Sequence, residues 1–363
     1  MYDVAIVGAG PAGSTLARLI GDKYKVLLVD KRVITRPTDG RKSRKCCGGL
    51  LAPDAQKMVS QMGLGLPKSV LVEPQLFVVR AIDLPNGLER FYQRFYINMD
   101  RQRFDQWLLS LVPPNVDLRL GLQFNACESG DHGFTLTLCQ GNQIYTERAR
   151  VLIGADGAFS RVRAAMNPKP PFPRTYIAIQ EWVEPCSPLP YFSALFHPEV
   201  TDYYGWTIPK EDCLVIGAAL PVGKEAIRKF ELLKEKLGEY GFIFGKTLRR
   251  ESGLILRPTR VEQVCLGTKG IALVGESAGW ISPSSAEGLS YAFKTAMALA
   301  QALSDGFDGF EGRYRQLTGG LRRNVLLKNV KSHFIFHPVL RKIIMKSGLQ
   351  SLEIFKPEQS ANR

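Results

Sequence analysis

The first chemistry legible in this sequence is phosphate chemistry. Gly8, Gly10 and Gly13 form a G-x-G-x-x-G turn directly after the Val- and Ile-rich run Tyr2 to Val7. Helical spacing through Leu16, Ala17 and Ile20 follows it. In such a turn the first glycine permits a sharp reversal, and the second lets a pyrophosphate reach the backbone. The third lets the helix pack closely on the strand. The free N–H groups and the positive end of that helix then face the anion. A second strand, Lys25 to Val29, ends on Asp30, whose carboxylate can accept both hydroxyls of an adenosine ribose. Ala12 inside the turn and Lys31 beside the acid complete the candidate contacts.

Turns of this kind serve NAD as well as FAD, and three later segments choose between them. One is Ala149 to Arg163, containing Gly154-Ala155-Asp156-Gly157 and ending Ser160-Arg161-Val162-Arg163. Another is Gly270 to Gly279, with Gly275-Glu276-Ser277-Ala278-Gly279 at its end. The third is Asp100-Arg101-Gln102-Arg103-Phe104-Asp105. With the glycine turn they resemble, in order over residues 4 to 295, the p-hydroxybenzoate hydroxylase type of FAD-binding fold. Within it the chain is most similar to the geranylgeranyl reductase family. The resemblance implies FAD as cofactor, with Asp156 and Gly157 near its pyrophosphate and Arg101 also at the cofactor. It puts Gly275 and Glu276 at the ribityl or ribose hydroxyls. The chain departs from the family's G-D-A-A-G at two positions, carrying Glu276 for Asp and Ser277 for Ala.

The flavin end has its own candidates. Lys45-Cys46-Cys47-Gly48-Gly49-Leu50 resembles the family's K-P-C-G-G segment, and alignment of the glycines selects Cys47, with Gly48 beside it. A thiol there could protonate a carbon whose neighbour has received hydride; the alternative is a small apolar residue beside tight-turn glycines. Adjacent cysteines do not give a chelating spacing, so no metal site is expected. Gly288 precedes a long helix expected from about Ser285 to Leu303, whose positive end would favour an anionic reduced flavin. Tyr203-Tyr204-Gly205-Trp206-Thr207-Ile208-Pro209 resembles the family's Y-x-W-x-F-P. That implies Tyr204 and Trp206 along an apolar substrate cavity, the alternative being core aromatics of a β-strand. The segment also approaches the W-x-W-x-I-P of flavin halogenases, without an equivalent of their reactive lysine.

Positioning these groups takes a discontinuous mixed α/β architecture. The expectation is a Rossmann-like FAD-binding domain over 1–70, 97–166 and 265–310. An antiparallel β-sheet substrate domain, 71–96 and 167–264, is inserted into it, and a basic helical region, 311–363, follows. Helices are expected over Pro53 to Met62, Asp100 to Leu111 and Lys224 to Leu237. Strands are expected over Val70 to Tyr96 with a turn at Pro85-Asn86-Gly87, and at Asp117 to Phe124, Gly133 to Cys139, Gln143 to Arg148, Val151 to Ile153 and Ile271 to Val274. Tyr176 to Leu220 reads as β-rich. Asn167 to Arg174, with four prolines, reads as a linker.

Composition bounds the function. Seven scattered cysteines in 363 residues are not a disulfide framework, and with no export signal at the start a reducing cytoplasm is expected. Lys31 to Lys45 reads as a basic loop. From Gly312 to Leu352 there are nine Lys or Arg and no acid, a large part of the net charge of +14. That stretch suits either an anionic membrane surface or a packed helical pair with a solvated basic face. No recognition motif accompanies the charge, so nucleic acid is not an expected partner. The leading expectation is an FAD-dependent oxidoreductase saturating carbon–carbon double bonds of a prenyl-like hydrophobic substrate. NAD(P)H or a ferredoxin-like carrier would act as transient donor, since no second G-x-G-x-x-G exists. The alternatives are an FAD-dependent monooxygenase of the same fold, or a flavoprotein with a non-catalytic stress or envelope role.

Overall fold

The computed structural model describes residues 1–34, 45–185 and 190–354. Most of the basic loop expected over 31–45 lies outside the described residues. Two compact units emerge. The first comprises Met1–Leu71, Met99–Ile177 and Gly253–His333, and the second Val72–Asn98, Ala178–Ser252 and Phe334–Arg363. The C-terminal stretch expected as a region of its own therefore divides after His333.

The first unit is built on a sheet whose central strand is the Val- and Ile-rich Tyr2–Val7. It runs parallel to Val26–Asp30 on one side and to Gln143–Gly154 on the other, pairing Val7 with both Val29 and Gly154. Ile271–Leu273 and Asp117–Leu120 extend the parallel set outward. The hairpin of Gln123–Gly130 and Gly133–Gln140 adds antiparallel pairing onto Gln143–Gly154. Val4, Ala5, Ile6, Leu27 and Leu28 are fully buried, as strands covered on both faces require. The single strand expected over Asp117 to Phe124 is broken at Gly121, where φ is +81°.

Helix Pro11–Ile20 starts as the sequence dictates. Extended Gly10 precedes it, Pro11 occupies a first-turn position where its missing N–H costs nothing, and Leu16, Ala17 and Ile20 are buried. Helix Arg101–Ser110 is capped by Asp100, whose Oδ1 accepts the Arg103 N–H at 2.8 Å. Helix Leu289–Leu303 begins four residues later than expected.

In the second unit the strands lie in the order Phe244–Arg257, Arg174–Pro185, Cys213–Pro221, Gly205–Lys210, Phe192–Phe196, Leu76–Asp83, Leu88–Asn98. The expected turn at Pro85-Asn86-Gly87 joins the last two, with Gly87 in the left-handed region at φ +58°. Helix Ala226–Glu239 buries Phe230, Leu233 and Leu237. The long strand Phe244–Arg257 was not expected, because Lys246, Arg249, Arg250 and Glu251 mask its pattern. Those charges find distant partners: the Arg250 Nε donates to buried Glu181 at 2.7 Å, and Lys234 reaches the same carboxylate at 3.0 Å. Buried Asp83 holds Arg341 at 3.1 Å and so anchors helix Pro338–Ser347 to this unit.

Candidate functional site

All the candidate cofactor residues lie in the first unit, and the glycine turn shows why their types matter. A Cβ on Gly8 would lie 2.4 Å from the Ala155 carbonyl oxygen, and one on Gly13 would lie 1.8 Å from the Gly8 carbonyl oxygen. Those two glycines are therefore demanded by packing between the first strand, its helix and the Asp156 segment. Gly10 differs: the nearest atom to its Cβ position is Arg32 Nη2, at 3.9 Å. Gly157, at φ +79°, likewise has open space beside it. The open glycines leave room for a ligand at the helix N-terminus, and the crowded ones bring the segments together around it.

Asp30 is buried and accepts the Ala9 N–H at 2.8 Å, which ties it to the turn. It also accepts from the Arg32 N–H at 2.7 Å and from the Arg32 guanidinium at 3.1 and 3.2 Å. Lys31, the expected contact, is exposed. Its neighbour Arg32 turns back instead, because the chain bends after Asp30 and the Arg32 N–H closes on the Asp30 carboxylate. Burial opposes the charge of Arg32, but Asp30 and Asp105 outweigh it and raise its pKa.

From Arg32 the charges alternate inward. Its Nη1 reaches Asp105 at 3.4 Å, and Asp105 accepts the Arg101 Nε at 2.7 Å. Arg101 then donates from Nη1 towards the Cys47 Sγ at 3.5 Å, and the Gly49 N–H points at the same sulfur from 3.4 Å. Burial works against the Arg101 charge; Asp105 first, then Cys47, reverse the effect and push its pKa up. Arg32, Lys45, Arg101 and Asp105 line one solvent-open hollow with Ile34 and Gln102. Each cation of that hollow is paired: Arg32 with Asp30 and Asp105, Lys45 with Glu276, and Arg101 with Asp105. Arg32 and Asp105 were missed by the sequence reading. The spacing of Asp30 and Arg32 was the available signal for the first, and the i,i+4 pair Arg101–Asp105 for the second.

The two departures from the family pattern have local reasons. Glu276 Oε2 lies 3.3 Å from Lys45 Nζ, while Oε1 accepts the Leu256 N–H at 3.3 Å. Its extra methylene spans the gap to Lys45. Ser277 Oγ donates to the Gly154 carbonyl at 2.6 Å, joining the two segments, as an alanine could not. Gly275, at φ +61°, sits with its Cβ position 3.2 Å from Ala12 Cβ. Asp156 Oδ2 accepts the Arg161 and Val162 N–H groups at 2.7 and 3.3 Å, and burial raises its pKa. Gly288 immediately precedes helix Leu289–Leu303, but Glu287 accepts the Ser290 N–H at 2.6 Å. That carboxylate offsets the positive helix end on which stabilisation of a reduced flavin was expected to rest.

Tyr204 and Trp206 belong to the second unit. Trp206 is buried, and a Cβ on its cross-strand partner Gly217 would lie 2.4 Å from the indole, so the ring fills a gap made for it. Half-buried Tyr204 lies 5.7 Å from Trp206 and stacks on Phe336 at 6.3 Å.

No family model matches the chain. Curated relatives do. It is 39% identical to Protein CbrA of Escherichia coli strain CFT073 over 356 residues, 98% of this chain and 96% of that protein. It is 39% identical to Protein CbrA of Shigella dysenteriae serotype 1 over 359 residues, covering 98% and 99%. The chain belongs to the CbrA family. Among solved structures, a geranylgeranyl bacteriochlorophyll reductase-like protein from Thermoplasma acidophilum superposes with a TM-score of 0.79 at 20% identity, over 94% of this chain and 90% of that one. PqsL from Pseudomonas aeruginosa, described as a probable FAD-dependent monooxygenase, gives 0.67 at 18% identity over 96% and 99%. This member of the CbrA family thus has the fold of FAD-dependent oxidoreductases, as the resemblance implied.

Proposed function

We propose that the chain is an FAD-dependent oxidoreductase that reduces carbon–carbon double bonds of a prenyl-like hydrophobic substrate. The observation that carries the cofactor is the contrast at the glycine turn: no side chain fits at Gly8 or Gly13, whereas Gly10 and Gly157 border open space. Gly10, Ala12, Asp156 and Gly157 would hold the pyrophosphate, Asp30 the adenosine ribose, and Gly275 with Glu276 the ribityl hydroxyls. Gly48, Cys47 and Gly288 would border the ring. FAD, when bound, supplies hydride transfer.

The chain's own residues do the rest. The N–H groups at the start of helix Pro11–Ile20 would donate to the diphosphate, and Arg32, Lys45 and Arg101, each paired with an acid, line one hollow. Asp30 can accept ribose hydroxyls once the Arg32 guanidinium swings aside, while its bond from the Ala9 N–H keeps it aimed. Arg101, held by Asp105, and the Gly49 N–H fix the position of the Cys47 sulfur. From Sγ a proton goes to the substrate carbon next to the one that receives hydride. Of the expected aromatic pair, half-buried Tyr204 keeps some surface, whereas Trp206 is packed into its sheet against Gly217. NAD(P)H or a ferredoxin-like carrier serves as external donor.

The likeness to the T. acidophilum reductase-like protein, with its higher TM-score, favours reduction; the likeness to PqsL supports a second reading, oxygenation. One experiment tests both. Purified protein is scanned for flavin absorbance, reduced anaerobically, and mixed with prenyl diphosphates and prenyl lipids. Saturated product without O2 is the expected result. Product formed only with O2 would establish the monooxygenase, and a colourless protein that takes up no FAD would end the cofactor reading.

A further inference from the structure

Helix Gly319–Phe336 is oriented against the usual rule for a surface helix. Its buried positions are Val325 and Ser332, while Leu326, Leu327, Val330 and Phe334 are exposed, Leu327 by 68% and Val330 by 55%. Positions 326, 330 and 334 repeat every four residues and 327 lies alongside, so these side chains form one outward row. Polar groups hold the opposite side: Asn324 accepts from the Tyr291 hydroxyl at 2.5 Å, and Lys328 pairs with Asp54 at 3.5 Å. Helix Pro338–Ser347 does the same. It buries Arg341 on Asp83 and also Met345, and exposes Val339, Ile343 and Ile344. Ordinary folding gives no reason to turn aliphatic residues outward on two consecutive helices.

Charge says what covers them. The stretch from Gly312 to Leu352 carries nine Lys or Arg and no acid, and Arg323, Lys342 and Lys346 are exposed on the same helices. A second copy of the chain would bring like-charged helices to these. Protein interfaces favour Tyr, Trp, Met and Arg at their centres, whereas this row is Leu, Val and Ile with a single Phe. Aliphatic side chains that enter an acyl layer, beside long cations whose heads stay at the headgroups, are the chemistry of an interfacial helix. Among the described residues no helix is long and apolar enough to cross a membrane.

We infer that helices Gly319–Phe336 and Pro338–Ser347 each insert their exposed aliphatic side chains into the surface of an anionic phospholipid bilayer. The inference is independent of the cofactor reading. Its test is flotation of the full chain with vesicles of phosphatidylcholine alone or with added phosphatidylglycerol. The protein is expected to float at least ten-fold more with the anionic vesicles, and less as salt rises. Leu327→Asp with Val330→Asp, and separately Lys342→Glu with Lys346→Glu, should each lower binding about ten-fold or more. All four residues are exposed, so melting temperature and bound flavin should hold. Leu327→Gln alone serves as a milder probe should the double variant melt early. Equal flotation with both vesicle types would overturn the inference. So would variants that float like the parent chain, or an association of copies abolished by the same substitutions. Retention on an acidic polypeptide without binding to vesicles would assign the surface to a protein partner instead.

Discussion

Replacing Gly10 by alanine separates holding the cofactor from holding the fold. Gly10 has φ −77° and ψ −174°, a conformation alanine adopts freely. Its Cβ position meets nothing nearer than a guanidinium nitrogen at 3.9 Å. The apo protein therefore suffers neither strain nor overlap, and the stiffer unfolded chain favours folding by about 0.4–1 kcal/mol. Gly13→Ala is the opposite case. Its Cβ would stand 1.8 Å from a backbone oxygen, so helix and strand must separate by more than an ångström, at a cost of about 1–3 kcal/mol or more. With FAD the order changes, because a methyl on residue 10 enters the space left for the diphosphate. A ten-fold loss of affinity corresponds to about 1.4 kcal/mol, and at least that loss is expected. The assay is thermal melting of flavin-free protein, paired with titration of FAD by quenching of its fluorescence. G10A should melt at or above the parent temperature and bind FAD at least ten-fold more weakly, while G13A should melt early. If G10A binds FAD as tightly as the parent chain, the turn does not carry the diphosphate.

Cys47→Ser should leave flavin content and reduction of the flavin by its donor unchanged, while product formation falls about 100-fold or more; rapid-mixing kinetics read the two half-reactions separately. Glu181→Gln should cost about 1.5–3 kcal/mol in chemical denaturation, because Lys234 and Arg250 lose their shared charge. Burial works against the Glu181 carboxylate, but Arg250 and Lys234 lower its pKa below the ordinary 4.5. Its contribution is thus full above pH 4.5 and fades as pH falls through the lowered value, and the variant's stability curve should lack that slope. Burial, and then the hydrogen bond from Tyr2 to Asp117, push the Tyr2 phenol up to about 12. The neutral phenol stabilises the fold up to its ordinary 10.0, and that stability is lost as pH rises through about 12. Absorbance titration at alkaline pH should therefore lose one late-ionising tyrosine in Tyr2→Phe, with the more deeply buried Tyr291 and Tyr314 ionising later still.

What was legible in the sequence was local. The Val- and Ile-rich run, the glycine turn, Pro11 and the Asp100 cap each specify their structure within a few residues, and the first strand and both helices begin where those signals stand. The strand Phe244–Arg257 was not legible, because its charged residues hide the strand pattern and their partners, Glu181 and Glu231 for Arg250, are distant in sequence. Glu276 looked like a flaw for a related reason. The lysine that accounts for its length is 231 positions away. Composition identified the C-terminal stretch as basic and apolar, and only the buried Val325, Ser332, Arg341 and Met345 fix which face turns outward.

Arg32, rather than its exposed neighbour Lys31, is the side chain that folds back on Asp30. The strand ends at Asp30 and the chain bends over the next two residues, which brings the Arg32 N–H and guanidinium onto that carboxylate. That contact opens the row Asp30, Arg32, Asp105, Arg101, Cys47, in which each arginine stands between two acceptors. Arg32 and Arg101 share the Asp105 carboxylate through its two oxygens, and Arg101 is one of the groups that reach the Cys47 sulfur. A row of charged contacts therefore runs from Asp30 to the Cys47 sulfur. Resolving such a row takes coordinates: the glycine pattern marks one end, the K-C-C-G-G segment marks the other, and the helix from Arg101 joins them only once folded.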